Sequence, residues 1–302
     1  SSRIIPVVGD LSQNLLGLSG SEFQDLAGQI DVIYHNGAWV NTVYPYSTLK
    51  PANVLGTQEV LRLASEIKIK PVHYVSTISV FSSPAYSEKM VLESDPLEHS
   101  KDINNGYAES KWVADKLVML ARDRGLPVCI YRPARVLGHS QTGICNRDDL
   151  WSTFTLGCIQ LGMVMVPKIA NWKDNIIPVD YMSRGIVHLS RQKESLGKAF
   201  HLINPHFTLI NELFNWIRAL GYPLKEVSYE EWRSHLIRTN QASSNKVLQA
   251  LLSITPEEDS EKTHQLPEID FTNTLSGLAG TDMVFPPIEQ GLIEKYLSYL
   301  IR

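Results

Sequence analysis

Four short apolar runs constrain what this chain can become. They are Arg3-Ile4-Ile5-Pro6-Val7-Val8, Asp31-Val32-Ile33-Tyr34-His35, Pro71 through Thr77, and Pro127-Val128-Cys129-Ile130-Tyr131-Arg132-Pro133. Each is too short for a stable helix and is continuously apolar rather than alternating, which is the pattern of a strand buried on both faces of a parallel sheet. The stretches between them carry helical rhythm. From about Ser47 to Lys68, residues Leu49, Asn53, Val54, Thr57, Val60, Leu61 and Ala64 recur at helical intervals, and Tyr107 to about Arg122 does the same. Strand, helix, strand, helix, strand, helix, strand requires an α/β fold with a doubly wound parallel sheet and right-handed crossovers. Asn53 falls on the inward side of its helix, where a polar group needs a partner.

Ligands of open α/β sheets lie at the carboxyl ends of the strands. The second run closes on Asn36-Gly37-Ala38, where a glycine permits close backbone approach, and the third ends in the hydroxyls of Ser76, Thr77 and Ser79. About thirty residues on, Asn104-Asn105-Gly106-Tyr107-Ala108-Glu109-Ser110-Lys111 opens a helix. Tyr107 and Lys111 are four apart and share a face, so an ammonium there is expected to favour the ionised phenol and make it a usable proton donor. Tyr46 and Lys50 have the same spacing. They lie between Pro45 and Pro51 with no hydroxyl-tipped strand before them, so Tyr107 is the preferred pair.

The remaining properties exclude several classes. The 302 residues carry a net charge of -4 without a basic stripe, which argues against nucleic acid. No run of about 18 apolar residues could span a bilayer, and the first residues do not resemble a signal peptide; a cytoplasmic location is the expectation. Cys129, Cys145 and Cys158 fit neither a disulfide framework nor a paired-cysteine zinc site, and the scattered histidines lack metal-ligand spacing, so no metal is expected. Trp112 is expected to be core packing.

Gly9-Asp10-Leu11, His35-Asn36-Gly37-Ala38, Asn53-Val54-Leu55-Gly56-Thr57, Val75 through Phe81, Gly106 through Trp112, Tyr131-Arg132-Pro133 and Ile177-Pro178-Val179-Asp180 follow one another in an order that resembles the extended short-chain dehydrogenase/reductases. Within these the chain is most similar to the thioester reductase domains of nonribosomal peptide synthetases, carboxylic acid reductases and aminoadipate reductases. The resemblance implies a Rossmann-like NAD(P)-binding domain and residue roles. Thr77 would be the active-site hydroxyl, with Ser76 and Ser79 as runners-up. Tyr107 would donate the proton, and Lys111 would lower its pKa and hold the nicotinamide ribose. Asp10 and Leu11 would flank the adenine, Asn36, Gly37 and Ala38 would line the cofactor, and Pro133 would sit beside the nicotinamide.

The same resemblance implies NADPH as cofactor and, as partner, an acyl or peptidyl carrier domain bearing a phosphopantetheine thioester, within a larger multidomain synthetase. The expected product is an aldehyde, or an alcohol after a second hydride transfer. A fatty acyl-CoA-type reductase and a nucleotide-sugar epimerase or dehydratase are the rival activities. The family opens with a strand, a glycine-rich turn and a helix that receive the pyrophosphate. No G-x-x-G-x-x-G pattern occurs at the start of this chain, so about 60 or more preceding residues are expected in the natural protein, and a chain without them is expected to lose dinucleotide binding.

Beyond Gly138 the rhythm changes. Asp149–Leu161, the segment from Asp180 to about Ser190, Thr208–Leu220, Tyr229–Ile237, Gln241–Leu252 and Ile288–Ile301 read as helices, Gly162–Pro167 and Ala199–Ile203 as extended, and Ser82–Ser100 and Thr255–Gln265 as loops. The expected division is 1–140 as an N-terminally incomplete Rossmann-like domain to which 174–204 returns, with 141–173 and 205–302 as a mostly helical lobe facing substrate and carrier.

Overall fold

The computed structural model describes residues 3–103, 105–166, 173–243, 245–255 and 267–302. The chain divides into two compact units: residues 1–133, 186–202 and 264–281 form one, and 134–185, 203–263 and 282–302 the other. The segment 174–204 is thus shared between the units rather than returning whole to the first.

The first unit is built on four parallel strands, β1 (Ile33–His35), β2 (Val72–Val75), β3 (Val128–Pro133) and β4 (Ala199–Leu202), hydrogen-bonded in that order. Three of the four expected apolar runs are therefore strands, and Ala199–Ile203 supplies the fourth. The run Arg3–Val8 is not. Residues 4–10 pair with no strand among the described residues, and Ile4, Ile5, Val7 and Val8 are 74, 84, 56 and 93% exposed. Apolar sequence favours a buried strand, but a strand exists only where a neighbour completes its ladder.

Strand alternation sends side chains to two distinct faces. One face carries an aromatic ladder across all four strands: Tyr34 stacks on His73 at 4.7 Å, His73 on Tyr131 at 6.1 Å, and Tyr131 on Phe200 at 5.7 Å between ring centroids. Tyr34 Oη and Ser190 Oγ share a hydrogen bond of 2.8 Å, and Cys129 Sγ donates to the Ser195 carbonyl at 3.1 Å, so residues 186–195 cover this side. The opposite face carries His35, Tyr74, Arg132 and His201 under the helices that bear the site.

Those helices have local causes. A first helix, α1 (Gly20–Gln29), starts at a capping box in which Ser19 and Glu22 satisfy each other's backbone N–H. The expected helix from Ser47 is present in three pieces: α2 (Tyr46–Lys50), a π turn at Pro51–Leu55 in which Gly56 N–H reaches back to the Pro51 carbonyl, and α3 (Gly56–Ser65). Helix α4 (Gly106–Asp123) begins where the Asn105 side chain accepts from Ala108 N–H at 2.9 Å. It stops before Gly125, whose φ of +97° is the left-handed conformation that favours glycine.

The expected loop Ser82–Ser100 holds a short strand, Met90–Val91, paired in parallel with Glu268–Ile269. Two-residue strands with a partner so distant in sequence leave no local periodicity. Glu93, buried beside this strand, accepts from His201 N–H at 2.7 Å and Thr274 Oγ1 at 2.7 Å, and also from Asn273 N–H.

The second unit packs the helices Leu150–Leu161, Ile210–Ala219, Tyr229–Ala242, Lys246–Ser253 and Gln290–Leu300 around Trp232, Leu236, Leu251, Val164 and Ile176. Its strands come as pairs, including Arg135–Leu137 with Ile176–Pro178 and Met163–Met165 with Lys225–Val227. The helix expected to start at Gln241 starts instead at Lys246, because Asn245 caps it. The expected loop Thr255–Gln265 lies almost wholly outside the described residues.

Three buried histidines make this fold acid-sensitive. Burial brings the pKa of His35 and His201 down from 6.5 to about 3, and that of His73 to about 4. A group whose folded pKa is depressed contributes stability that is present above its unfolded pKa and lost as pH falls toward the folded value, here between about 6.5 and 3. Each such histidine costs on the order of 1.4 kcal/mol per pH unit across that window. Thermal unfolding is expected to show a Tm falling steeply from pH 7 to pH 4; a flat profile would contradict neutral burial.

Candidate active site

Three neighbouring parallel strands deliver the expected site residues to one carboxyl edge. β1 ends at Asn36, Gly37 and Ala38, β2 at Ser76 and Thr77, and β3 at Pro133. Asn36 and Gly37 are exposed, Ala38 is half-buried and Pro133 buried. Gly37 has Leu11 against it, so closely that a Cβ there would meet Leu11 Cδ1 at 2.7 Å. Leu11 and its exposed neighbour Asp10 therefore lie beside the β1 turn. Asp10 accepts from the Ser12 N–H at 2.8 Å and Ser12 Oγ at 2.7 Å, which holds its carboxyl below the usual range.

Helix α4 crosses this edge on its Tyr107, Lys111 and Asp115 face. Lys111 is 2% exposed, and its Nζ donates to the Val75 carbonyl at 2.9 Å while lying 4.3 Å from the centre of the Tyr74 ring. One turn later, Asp115 accepts from Ser76 Oγ at 2.7 Å. These two bonds fasten α4 to the residues just before Thr77. Thr77 is 9% exposed and caps the short 3-10 turn Ile78–Phe81, its Oγ1 accepting from Ser79 N–H at 3.2 Å. Ser76 is committed to Asp115, whereas Thr77 Oγ1 donates only to Ser79 Oγ at 3.2 Å. Tyr107 is half-buried at the start of the helix.

The electrostatics depart from the helical-spacing expectation. Burial pushes the Tyr107 phenol up to about 12 and brings the Lys111 ammonium down to about 7, with Asp115 pulling the latter back up. Burial sets the direction of the phenol's pKa here, and the Lys111 ammonium is turned to the Val75 carbonyl and the Tyr74 ring. The phenol keeps its proton at neutral pH and is a hydrogen-bond donor.

The partner that Asn53 required is the β1 turn. Asn53 is 2% exposed; its Oδ1 accepts from Trp39 N–H at 2.7 Å, and its Nδ2 donates to the Trp39 carbonyl at 3.1 Å and to Ser110 Oγ at 2.9 Å. Ser110 in turn donates to the Tyr107 carbonyl at 2.8 Å. The turn after β1 and the first turn of α4 are thereby tied through one amide. Motif spacing alone did not single out Ser110, Asp115 or Arg132, although Arg132 had a signal: a lone cation in a buried strand demands an anion. Trp112 is half-buried rather than core, and Lys50 of the Tyr46 pair is exposed.

Gly106 has a steric duty. A Cβ at this position would collide with backbone atoms of Tyr44, Pro45 and Tyr46. Gly106→Ala is expected to cost about 1 to 3 kcal/mol by overpacking and to displace the start of α4, which a lowered Tm would reveal; an unchanged Tm would contradict this close approach.

Among the described residues no group of three or more His, Cys, Asp or Glu could hold a metal, and no helix is long and apolar enough to cross a membrane. The chemistry of the donors suits a nicotinamide dinucleotide: an exposed glycine turn beside an acidic residue, a phenol, and a lysine amine.

Comparison with known proteins agrees. The NAD-binding family described as male sterility protein matches residues 1–186. A linear gramicidin synthase from Brevibacillus parabrevis is 49% identical over 231 residues, 76% of this chain and 4% of that protein. The terminal R domain of the myxalamid PKS-NRPS biosynthetic pathway superposes with a TM-score of 0.88 at 45% identity, covering 99% of this chain and 75% of that one. A thiolation-reductase di-domain from an archaeal nonribosomal peptide synthetase shares the fold, with a TM-score of 0.78 at 24% identity over 99% of this chain and 62% of its own. The chain thus spans only a small part of the gramicidin synthase it matches. With the site's donors at the carboxyl edge of a parallel sheet and these similarities, the chain belongs to the NAD-binding male sterility protein family, on the reductase-domain branch of the extended short-chain dehydrogenase/reductases.

Proposed function

We propose that this chain reduces an acyl or peptidyl thioester, carried on the phosphopantetheine of a carrier domain, to an aldehyde at the expense of NADPH. The observation that carries the reading is the fastening of α4, the helix whose first turn holds Tyr107, to the end of β2 that bears Thr77, through Lys111 on Val75 and Asp115 on Ser76.

In this reading Asp10, Leu11, Asn36, Gly37, Ala38 and Pro133 line the dinucleotide, and Lys111 offers its amine to the ribose. The bound cofactor supplies the hydride. As negative charge develops on the thioester oxygen, Thr77 and Tyr107 donate hydrogen bonds to it, each such preorganised donor being worth about 2.7 to 4 kcal/mol in the transition state. Tyr107 then yields its proton to that oxygen, and the hemithioacetal collapses to thiol and aldehyde. The myxalamid relative is the terminal R domain of a PKS-NRPS pathway, and the archaeal neighbour joins a thiolation domain to its reductase, which supports a carrier domain as partner. Residues 141–173 and 205–302 are the proposed substrate- and carrier-facing lobe, and the cytoplasm the proposed location.

Incubation of the full-length protein with NADPH and parallel panels of carrier-loaded, pantetheine and coenzyme A thioesters, with products read by mass spectrometry, tests this. The expected result is one NADPH consumed per aldehyde, with carrier-loaded substrate preferred. Preference for coenzyme A thioesters would favour the acyl-CoA reductase, and turnover of a nucleotide sugar without net NADPH consumption the epimerase; either would overturn the proposal.

A further inference from the structure

Given the catalytic reading of Tyr107 and Lys111, we infer that Asp115 is the positioning residue of this site: it anchors the turn that carries Thr77 and fixes a negative charge one helical turn from the buried Lys111. Tyr107, Lys111 and Asp115 succeed one another at four-residue steps along one face of α4. Asp115 is fully buried and accepts three hydrogen bonds, from Ser76 Oγ at 2.7 Å, Arg132 Nε at 2.9 Å and Arg132 Nη2 at 3.1 Å. Ser76 is also held through its backbone, its N–H donating to the Tyr131 carbonyl at 2.6 Å. The residue before Thr77 is thus fixed at both its main chain and its hydroxyl.

Arg132 is itself held. Its guanidinium lies 5.1 Å from the Phe81 ring centre, and Nη1 is 3.3 Å from His201 Nε2. Arg132 can only donate, so His201 Nε2 accepts and the ring proton sits on Nδ1, which donates to the Asp270 carbonyl at 2.7 Å. Arg132 therefore donates in two directions, to His201, which donates in turn to the Asp270 carbonyl, and to the Asp115 carboxylate, which also accepts from Ser76. Apolar side chains of similar volume would hold a helix on a sheet at least as well as a buried ion pair. What they would not provide is a fixed anion one helical turn from Lys111.

The other groups around Lys111 are neutral or committed. Tyr107 and Tyr74 are protonated phenols, His35 on β1 is neutral, and Arg132 on β3 is engaged with the same carboxylate. Burial alone drives Lys111 toward its neutral form, and Asp115 is the group that opposes it. Replacing the carboxylate by an amide removes that opposition, so the ammonium is lost at lower pH.

The test is the titration midpoint of Lys111, followed by NMR in full-length protein labelled with 13C at lysine Cε and assigned with Lys111→Arg. Asp115→Asn is expected to lower the midpoint by about one pH unit or more, and Asp115→Glu to restore it. Because Asp115→Asn leaves a buried guanidinium unpaired, the double variant Asp115→Asn/Arg132→Met, which removes both charges, repeats the measurement in a better-packed core, and a fall in the same direction is expected, smaller because a cation leaves with the anion. The alkaline limb of the rate profile for NADPH-dependent thioester reduction should move down in parallel. A midpoint unchanged in the folded variants would overturn the assignment and leave Asp115 a strut. A shifted midpoint in a protein whose wild type reduces no thioester would uphold Asp115's hold on Lys111 and defeat the reductase reading instead.

Discussion

Tyr107→Phe is expected to lower kcat for thioester reduction by about a hundred- to ten-thousand-fold, the range of a lost general acid, with NADPH affinity and Tm nearly unchanged. The phenol stands at the entry of α4 and keeps its proton at neutral pH, burial pushing its pKa up to about 12. Deleting one oxygen removes the donor while preserving the ring. Thr77→Val, which removes the second donor at equal volume, should cost about a hundred- to a thousandfold. The two losses should be less than additive if both hydroxyls address one oxygen. Parallel assays of kcat, KM and dinucleotide binding check this, and retention of reduction by Tyr107→Phe would remove Tyr107 from the mechanism.

Arg132→Leu is expected to produce the largest loss of stability, about 3 to 5 kcal/mol. Both partners of the Arg132–Asp115 pair are essentially inaccessible, with side-chain exposures of 1% and 0%. Removing the guanidinium leaves the carboxylate with the Ser76 hydroxyl alone and strips His201 Nε2 of its donor. The double variant Asp115→Asn/Arg132→Met should recover most of that loss, since the guanidinium and the carboxylate leave together. Chemical denaturation of wild type, single and double variants reads both outcomes. A single variant as stable as the double would mean that the pair carries no net electrostatic weight.

Much of this architecture was legible because its causes are local. Val128–Pro133 is too apolar and too short for anything but a buried strand, and α4 carries its own punctuation in Asn105 and Gly125. Ile4–Val8 is as apolar and forms no ladder among the described residues, since composition specifies a preference for burial and not the neighbour that satisfies it. Met90–Val91 was illegible for the converse reason: two residues gain strand character only from Glu268–Ile269, far along the chain.

The site divides in the same way. Helical spacing put Tyr107 and Lys111 on one face and the hydroxyls at the end of β2. It did not say where a flexible four-carbon side chain would direct its ammonium, and the Val75 carbonyl and Tyr74 ring proved the nearer partners. Asn53 announced itself as a buried polar residue in need of a partner, but the identity of that partner, the backbone of Trp39, depends on the crossing of two segments and not on either alone.

A crystal structure of the full-length protein with NADP+ and an unreactive thioester analogue is the most direct measurement. The predicted result is a nicotinamide ring beside Pro133, with the analogue's carbonyl oxygen about 3 Å from both Tyr107 Oη and Thr77 Oγ1. A carbonyl bound away from either hydroxyl, or a dinucleotide lodged elsewhere than the carboxyl edge of β1 to β3, would contradict it.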